Sequence, residues 1–353
     1  MTDKRSLAVL AVFLLLNLCI VIYLRDSIPA VAGLYPDLPA TAHWFHVHDA
    51  WLLYVLTPLI VTAAIVTLLA PGMLIILATD AAASIGELLL KGFGVSYVLH
   101  FLTTTAAKTL LSGPLDPGHF IALLSATLAL SYGLLVMRAR GMPGLFRLFT
   151  DPHDRAQLYW LFAIPFLFII PLLPVIFWQD LNADGFEALE IGRSLSTTVI
   201  PVFPTPAGTM GLGIGMVTMS YPIHWFIMLF GPVEASTRLP MVLFTVVLFA
   251  GLMASVEFKS RRRMRPLEQA ALLLGVAGYV TAMSFNSGYD NYFTDMSSPA
   301  AYETLTILLI TACCYSLWVG AGRWFLLFSL LGFLARPTIL LIIVLLGAGI
   351  WIT

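Results

Sequence analysis

From Tyr159 to Trp178 the chain runs for twenty residues without one charged side chain. A helix of that length covers the hydrocarbon thickness of a bilayer, about 30 Å at about 1.5 Å per residue. The run is not alone. Apolar stretches predict helices over 6–24, 51–70, 86–112, 119–137, 158–178, 238–256, 267–284, 302–319 and 323–335, with a last one from 338 to the end. Only 10% of the residues are charged and 59% are hydrophobic, where soluble domains carry about 25% charge. The expected fold is therefore all-α, a polytopic transmembrane bundle of nine or ten helices. Ser6–Leu24 reads as its first membrane helix. The run is long for a cleaved leader, and Arg25-Asp26 follows it in place of a small-residue cleavage site.

Orientation follows from Lys and Arg in short loops. Lys4-Arg5, then Arg138, Arg140, Arg147 and Arg155, then Lys259, Arg261, Arg262, Arg263 and Arg265 form three basic groups. Helices alternating from a cytoplasmic N-terminus place all three on the cytoplasmic side. The stretches 35–49, 182–195 and 286–299 then face outward. Arg138 to Arg155 contains Gly141, Pro143-Gly144 and Asp151-Pro152. It divides an N-terminal four-helix module, 1–150, from a core, 151–353. Pro71-Gly72 reads as a turn between two helices. The Gly-, Pro- and Thr-rich stretch from Thr197 to Met219 predicts a mobile outer loop. Tyr221 to Phe230 is apolar but too short to span, which predicts a helix lying on the membrane surface.

Four ionisable residues follow the uncharged run at every third position: Asp184, Glu187, Glu190 and Arg193. One reading is a capping box, with Asp184 as N-cap and Glu187 reaching back. The other makes Asp184 a general base, or a ligand of a divalent metal ion. Desolvation raises a carboxylate's affinity for protons and a neighbouring Arg193 lowers it, and either suits work on a hydroxyl. A rigidly held capping Asp is compatible with both readings. Arg336 lies in a long apolar stretch, where an arginine is costly and marks a functional candidate, suited by its planar fork to phosphate oxygens. Asp290 and Asp295, with Tyr289, Tyr292 and Phe293, occupy the second outer loop, and Glu303 begins the next helix. His46 and His48 with Asp49, after His43, resemble a metal or haem ligand set but fit no standard spacing, and the competing reading is interfacial residues with solvated imidazoles. Lys91 lies near the start of an apolar helix and can snorkel, and His100 follows in the same helix. Cys19, Cys313 and Cys314 lie in apolar runs and form no disulfide framework. The net charge of −1 gives no hint of nucleic acid.

From Asp184 to Pro240 the order of features becomes specific. The acidic stretch runs into Gly192-Arg193-Ser194-Leu195, and a Gly/Pro loop leads to Tyr221-Pro222-Ile223-His224. Phe230-Gly231-Pro232-Val233-Glu234 then precedes Arg238-Leu239-Pro240. This succession resembles the GT-C superfamily of polytopic membrane glycosyltransferases. It is closest to the branch of protein O-mannosyltransferases and the lipid A aminoarabinose transferase. The similarity covers about 158–345. It implies a GT-C-like core that transfers a sugar from a polyprenyl-phosphate donor at the outer face of a bacterial-type inner membrane. It also implies Asp184 as the catalytic carboxylate that deprotonates the acceptor, with Glu187 on the helix behind it. Arg193, Arg336, His224, Asp290 and Asp295 are implied around the substrate and lipid phosphate. Glu234 and Arg238 match a family pair whose simplest role is to anchor a helix end. Membrane lipids and other membrane subunits are the further partners implied. Gly185 stands where family members usually follow the Asp with Glu, and Tyr221-Pro222 where they carry Pro-Pro. The chain stops at Trp351-Ile352-Thr353 inside an apolar run. That ending favours the alternative expectation, a non-catalytic membrane scaffold with a degenerate GT-C-like fold. A transporter has less support, since no inverted repeat or pair of broken helices is visible.

Overall fold

The computed structural model describes residues 2–33, 52–79, 82, 84–111, 113–139, 151–170, 173–178, 183–205, 208–211, 217–286, 299–337, 339 and 343. Its helices are α1 (Thr2–Leu24), α2 (Ser27–Ala32), α3 (Thr57–Thr79, entered through a π-helical turn over Leu52–Leu56), α4 (Ile85–Leu111) and α5 (Pro117–Ala139). They continue with α6 (Pro152–Ile169), α7 (Leu173–Trp178), α8 (Ala183–Ser194), α9 (Val217–Phe230), α10 (Ala235–Arg238) and α11 (Pro240–Ser260). The last are α12 (Pro266–Asn286), α13 (Pro299–Trp318) and α14 (Gly322–Ala335). Among the described residues five stretches are long and apolar enough to cross a bilayer: Ser6–Leu24, Leu53–Thr79, Ile85–Leu110, Pro117–Arg138 and Ala235–Ser260. α1 and α5 leave Val12, Leu15, Leu16, Leu130 and Met137 exposed. Apolar surface on that scale suits hydrocarbon and not water, the pattern of an integral membrane protein.

The expected helix over 51–70 continues to Thr79, straight through Pro71. A proline in a helix removes one N–H and pushes the preceding turn open, freeing carbonyls one turn back. Here α4 takes up the freed groups. His100 Nε2 lies 2.8 Å from the Leu68 carbonyl. The Ser96 hydroxyl donates to the Leu69 carbonyl at 2.9 Å and accepts the Gly72 N–H at 2.8 Å. Gly72 permits the approach: a Cβ there would lie 2.1 Å from the Gly92 carbonyl oxygen and 2.5 Å from the Ser96 nitrogen. The turn expected at Pro71-Gly72 is thus a repaired break inside one long helix.

Two further differences have local causes. The uncharged run over 158–178 carries α6 to Ile169 and α7 from Leu173, with residues 171 and 172 outside the described ones. Part of the expected loop between Thr197 and Met219 is an antiparallel hairpin, β1 (Val202–Thr205) with β2 (Gly208–Gly211), pairing Val202 with Gly211. The β-branched Val202, Thr205 and Thr209 favour strand on either side of a Pro-containing link. Finally, α9 does not lie on a surface, because every residue from Val217 to Phe230 is buried. A helix with no charged side chain to present to head groups, and with its polar Thr218 and His224 bonded to neighbouring helices, is stable inside a bundle.

The segments before and after residue 150 share one core. α4 packs along α11, with the site of a Gly86 Cβ 2.6 Å from the Ala250 carbonyl oxygen. At one end of this bundle Arg263 Nη1 bridges Asp151 at 3.0 Å and Asp154 at 3.2 Å, joining the loop after α11 to the start of α6. Arg262 makes a two-point pair with Glu268 at 2.8 and 3.1 Å. α11 has 21 residues, so it separates this basic end from its own start by about 31 Å. The acidic helix α8 lies at that other end.

Candidate functional site

α8 is shaped by one buried stripe. Ala188, Leu189, Ile191, Gly192 and Leu195 are buried, while Arg193 is exposed and Glu190 intermediate. The stripe packs on α9 at a close crossing. A Cβ on Gly192 would meet Ile227 Cδ1 at 2.7 Å and Ile223 Cγ2 at 2.8 Å, so a larger residue there would push these isoleucine side chains aside. His224 Nδ1 lies 2.9 Å from the Gly192 carbonyl across the same crossing. A carbonyl only accepts, so Nδ1 carries the hydrogen and Nε2 presents a lone pair. That Nε2 is buried and has no hydrogen-bond partner among the described residues.

Asp184 falls inside the first turn of α8 and not at the N-cap expected for a capping box, because the helix begins at Ala183. Asp184 stands one turn before Ala188 and two before Ile191, in register with the stripe that packs on α9. The side chains of Asp184 and Glu187 lie outside the described ones. Arg193 Nη1 pairs with Glu190 Oε1 at 2.6 Å on the exposed side of the helix.

The stretch after α9 closes on the helix that delivers α8. Arg238, 3% exposed, donates from Nη1 to the Ile176 carbonyl at 2.8 Å. That carbonyl is in the last turn of α7, where helix ends leave carbonyls without an intrahelical donor. Arg238 therefore anchors a helix end, and the end it anchors is the one leading into the acidic stretch. Gly231 supports this turn with φ +83, a conformation that favours glycine.

Arg336 is exposed and sits just past the end of α14 with an extended backbone, its N–H on the Gly332 carbonyl at 2.9 Å. It is at a helix end and not inside one. α14 reaches α9 where the Thr218 hydroxyl donates to the Leu331 carbonyl at 2.8 Å. Thr218 and His224 are about 9 Å apart along α9. Asp290, Asp295, Tyr289, Tyr292, Phe293, His43, His46, His48 and Asp49 lie outside the described residues, as does the side chain of Glu303.

The end of α4 adds residues that sequence reading passed over. Lys108, in its last turn and 7% exposed, donates to the Thr198 carbonyl at 3.2 Å. Its ammonium stands 4.9 Å from the centroid of the Tyr221 ring. The Tyr221 hydroxyl donates to the Val199 carbonyl at 3.0 Å and lies 3.3 Å from Thr105 Oγ1. Trp225 packs edge-on against His100 with centroids 5.3 Å apart. Its Nε1 is buried without a partner among the described residues. The available signal was a lysine in the last turn of a mostly apolar helix.

Compared with known proteins, the chain matches no family model, no curated protein and no solved structure. Among the described residues no group of three or more His, Cys, Asp and Glu side chains is arranged to hold a metal ion. A wholly apolar cavity of about 200 Å³ lies between α1, α3, α4 and α6, lined by Leu10, Phe13, Met73, Leu77, Leu158 and Phe162 among others. No ionisable candidate borders it. Lys108, Tyr221, His224 and Trp225 gather where the end of α4, α8 and α9 meet.

Proposed function

We propose that this chain is a membrane glycosyltransferase that moves a sugar from a polyprenyl-phosphate donor to an acceptor hydroxyl at the outer face of a bacterial-type inner membrane. The observation that carries the reading is the bond from Arg238 to the Ile176 carbonyl at 2.8 Å. It brings the Phe230-to-Pro240 stretch against the helix end that precedes Asp184, so pieces separated in sequence meet at one end of the bundle. That end is the one opposite the basic loops. In this reading Asp184, made more basic by the like charge of Glu187 one turn on, takes the proton of the acceptor hydroxyl. The acceptor oxygen bonds to the anomeric carbon as the bond from that carbon to the phosphate oxygen breaks. The electron pair leaves with the polyprenyl phosphate, and configuration inverts. Arg336 faces the developing negative charge, the arrangement that lowers such barriers most, while Arg193, paired with Glu190 on the face of α8 opposite Asp184, holds the outer side of that helix. His224, Asp290 and Asp295 bind the sugar and acceptor. A divalent metal ion on Asp184 is the alternative use of that carboxylate.

The test is Asp184→Asn, which removes the base and keeps the shape. Purified protein in nanodiscs is supplied with polyprenyl-phosphate sugars, and transfer is followed by mass spectrometry. Loss of transfer by about 100-fold or more, the usual worth of a general base, is expected with an unchanged melting temperature. Transfer at the unsubstituted rate removes Asp184 from the chemistry.

A further inference from the structure

Lys108 presents a charge without a counter-charge. Its ammonium has three N–H donors, and the described residues offer it one carbonyl, Thr198, and one ring face, Tyr221. Both partners are neutral. Among the described residues no carboxylate comes within ion-pair distance of it. A buried cation at a membrane boundary is costly unless an anion meets it. Nearby polar atoms are also unspent. Trp225 Nε1 is a donor and His224 Nε2 a lone pair, both buried and both without a partner among the described residues. The Tyr221 ring links them to Lys108, with its centroid 6.3 Å from that of His224 and 6.3 Å from that of Trp225. The place fixes the class of anion. Lys108 stands two residues before the end of the membrane-crossing stretch Ile85–Leu110. That is the depth at which a lipid phosphate leaves the hydrocarbon.

We infer that Lys108 binds the phosphate of a membrane lipid, so that the helices before residue 150 supply part of the donor site. The inference rests on the glycosyltransferase reading for the identity of that lipid as a polyprenyl phosphate. The phosphate's oxygens accept from the Lys108 ammonium, which has N–H donors beyond the one given to Thr198. The segment from Ser196 to Val199, held by Lys108 and Tyr221, forms the wall beside it.

The experiment uses the full chain in detergent micelles. Binding of farnesyl phosphate, farnesol and inorganic phosphate is read by native mass spectrometry, and the thermal shift that each produces is recorded. The unsubstituted chain should bind farnesyl phosphate well above the other two. Lys108→Met should weaken that binding by about tenfold or more, the usual worth of a charge-assisted bond, and Lys108→Arg should keep most of it. Without ligand, Lys108→Met should melt no lower than the unsubstituted chain, since it removes an uncompensated buried charge. Should Lys108→Met melt lower and still be stabilised fully by farnesyl phosphate, the lysine is only a strap for Thr198 and the inference falls. Equal binding of phosphate and alcohol also overturns it, and inorganic phosphate competing as well as the lipid overturns the lipid assignment. Phosphate binding that depends on Lys108, with no sugar transfer by the unsubstituted chain, upholds the site and sinks the glycosyltransferase reading. Transfer by the unsubstituted chain, with undiminished binding in Lys108→Met, does the reverse.

Discussion

Lys91→Met should be among the most damaging single substitutions in the chain. Lys91 Nζ pairs with Glu87 Oε1 at 2.7 Å one turn apart on α4, with side chains only 8% and 6% exposed. The Tyr315 hydroxyl bonds to the same carboxylate, and the Trp324 ring lies 5.5 Å from the ammonium. The pair thus sits where α4, α13 and α14 come together. A solvated pair of this kind is worth about 0–1 kcal/mol. A buried one is different, because removing one partner leaves the other charge without compensation. That costs about 3–5 kcal/mol. Glu87→Gln should cost a similar amount through the stranded ammonium. The double variant Glu87→Gln/Lys91→Met strands neither and should cost far less than the sum of the two single losses, a coupling of about 3 kcal/mol or more. Equilibrium unfolding in mixed micelles by increasing denaturing detergent measures all four proteins. Single variants within about 1 kcal/mol of the unsubstituted chain, or a double variant that shows the plain sum of the two losses, refute the reasoning.

Gly72→Ala should break the contact of α3 with α4. The new Cβ meets backbone at 2.1 and 2.5 Å, so the helices must part and the loss should be about 3 kcal/mol or more, read in the same unfolding assay. Asp116, before α5, accepts the His119 N–H at 2.7 Å, and that bond first, with the His119 ring second among the lowering causes, holds its carboxyl below the ordinary aspartate range. Its support for the helix start is therefore complete above the ordinary value and fades as pH falls through the lower folded one. Amide exchange at His119, followed downward from about pH 5, should show protection lost, and Asp116→Asn should flatten that dependence.

Much of the helix layout was legible because apolar length is a strong signal in a chain this poor in charge. The predicted 86–112 and 323–335 are α4 (Ile85–Leu111) and α14 (Gly322–Ala335). What failed depended on distant partners. Pro71 reads as a stop until Ser96 and His100, more than twenty residues on, are seen to complete its hydrogen bonds. α9 reads as a surface helix because it is short, yet its lack of any charged side chain already pointed inward. Within the site, the acidic stretch and the Arg238 motif were visible, but their meeting through the Ile176 carbonyl was not. Lys108 was passed over for an intelligible reason: a lysine near a helix end ordinarily snorkels to water. Here it is covered by Tyr221 and Thr198 instead.

The repaired break in α3 also constrains how the chain enters a membrane. Alone in hydrocarbon, that helix would expose the Leu68 and Leu69 carbonyls and the Gly72 N–H, each unmet group costing several kcal/mol. The donors and acceptor that satisfy them belong to α4, and only residues 80–84 separate the two helices. The first helix therefore has every reason to wait at the insertion machinery until the second has been synthesised, and to pass sideways into lipid with it as an antiparallel hairpin. For this stretch the unit of membrane insertion is a helix pair, and His100 and Ser96 are as much part of its assembly order as of its final fold.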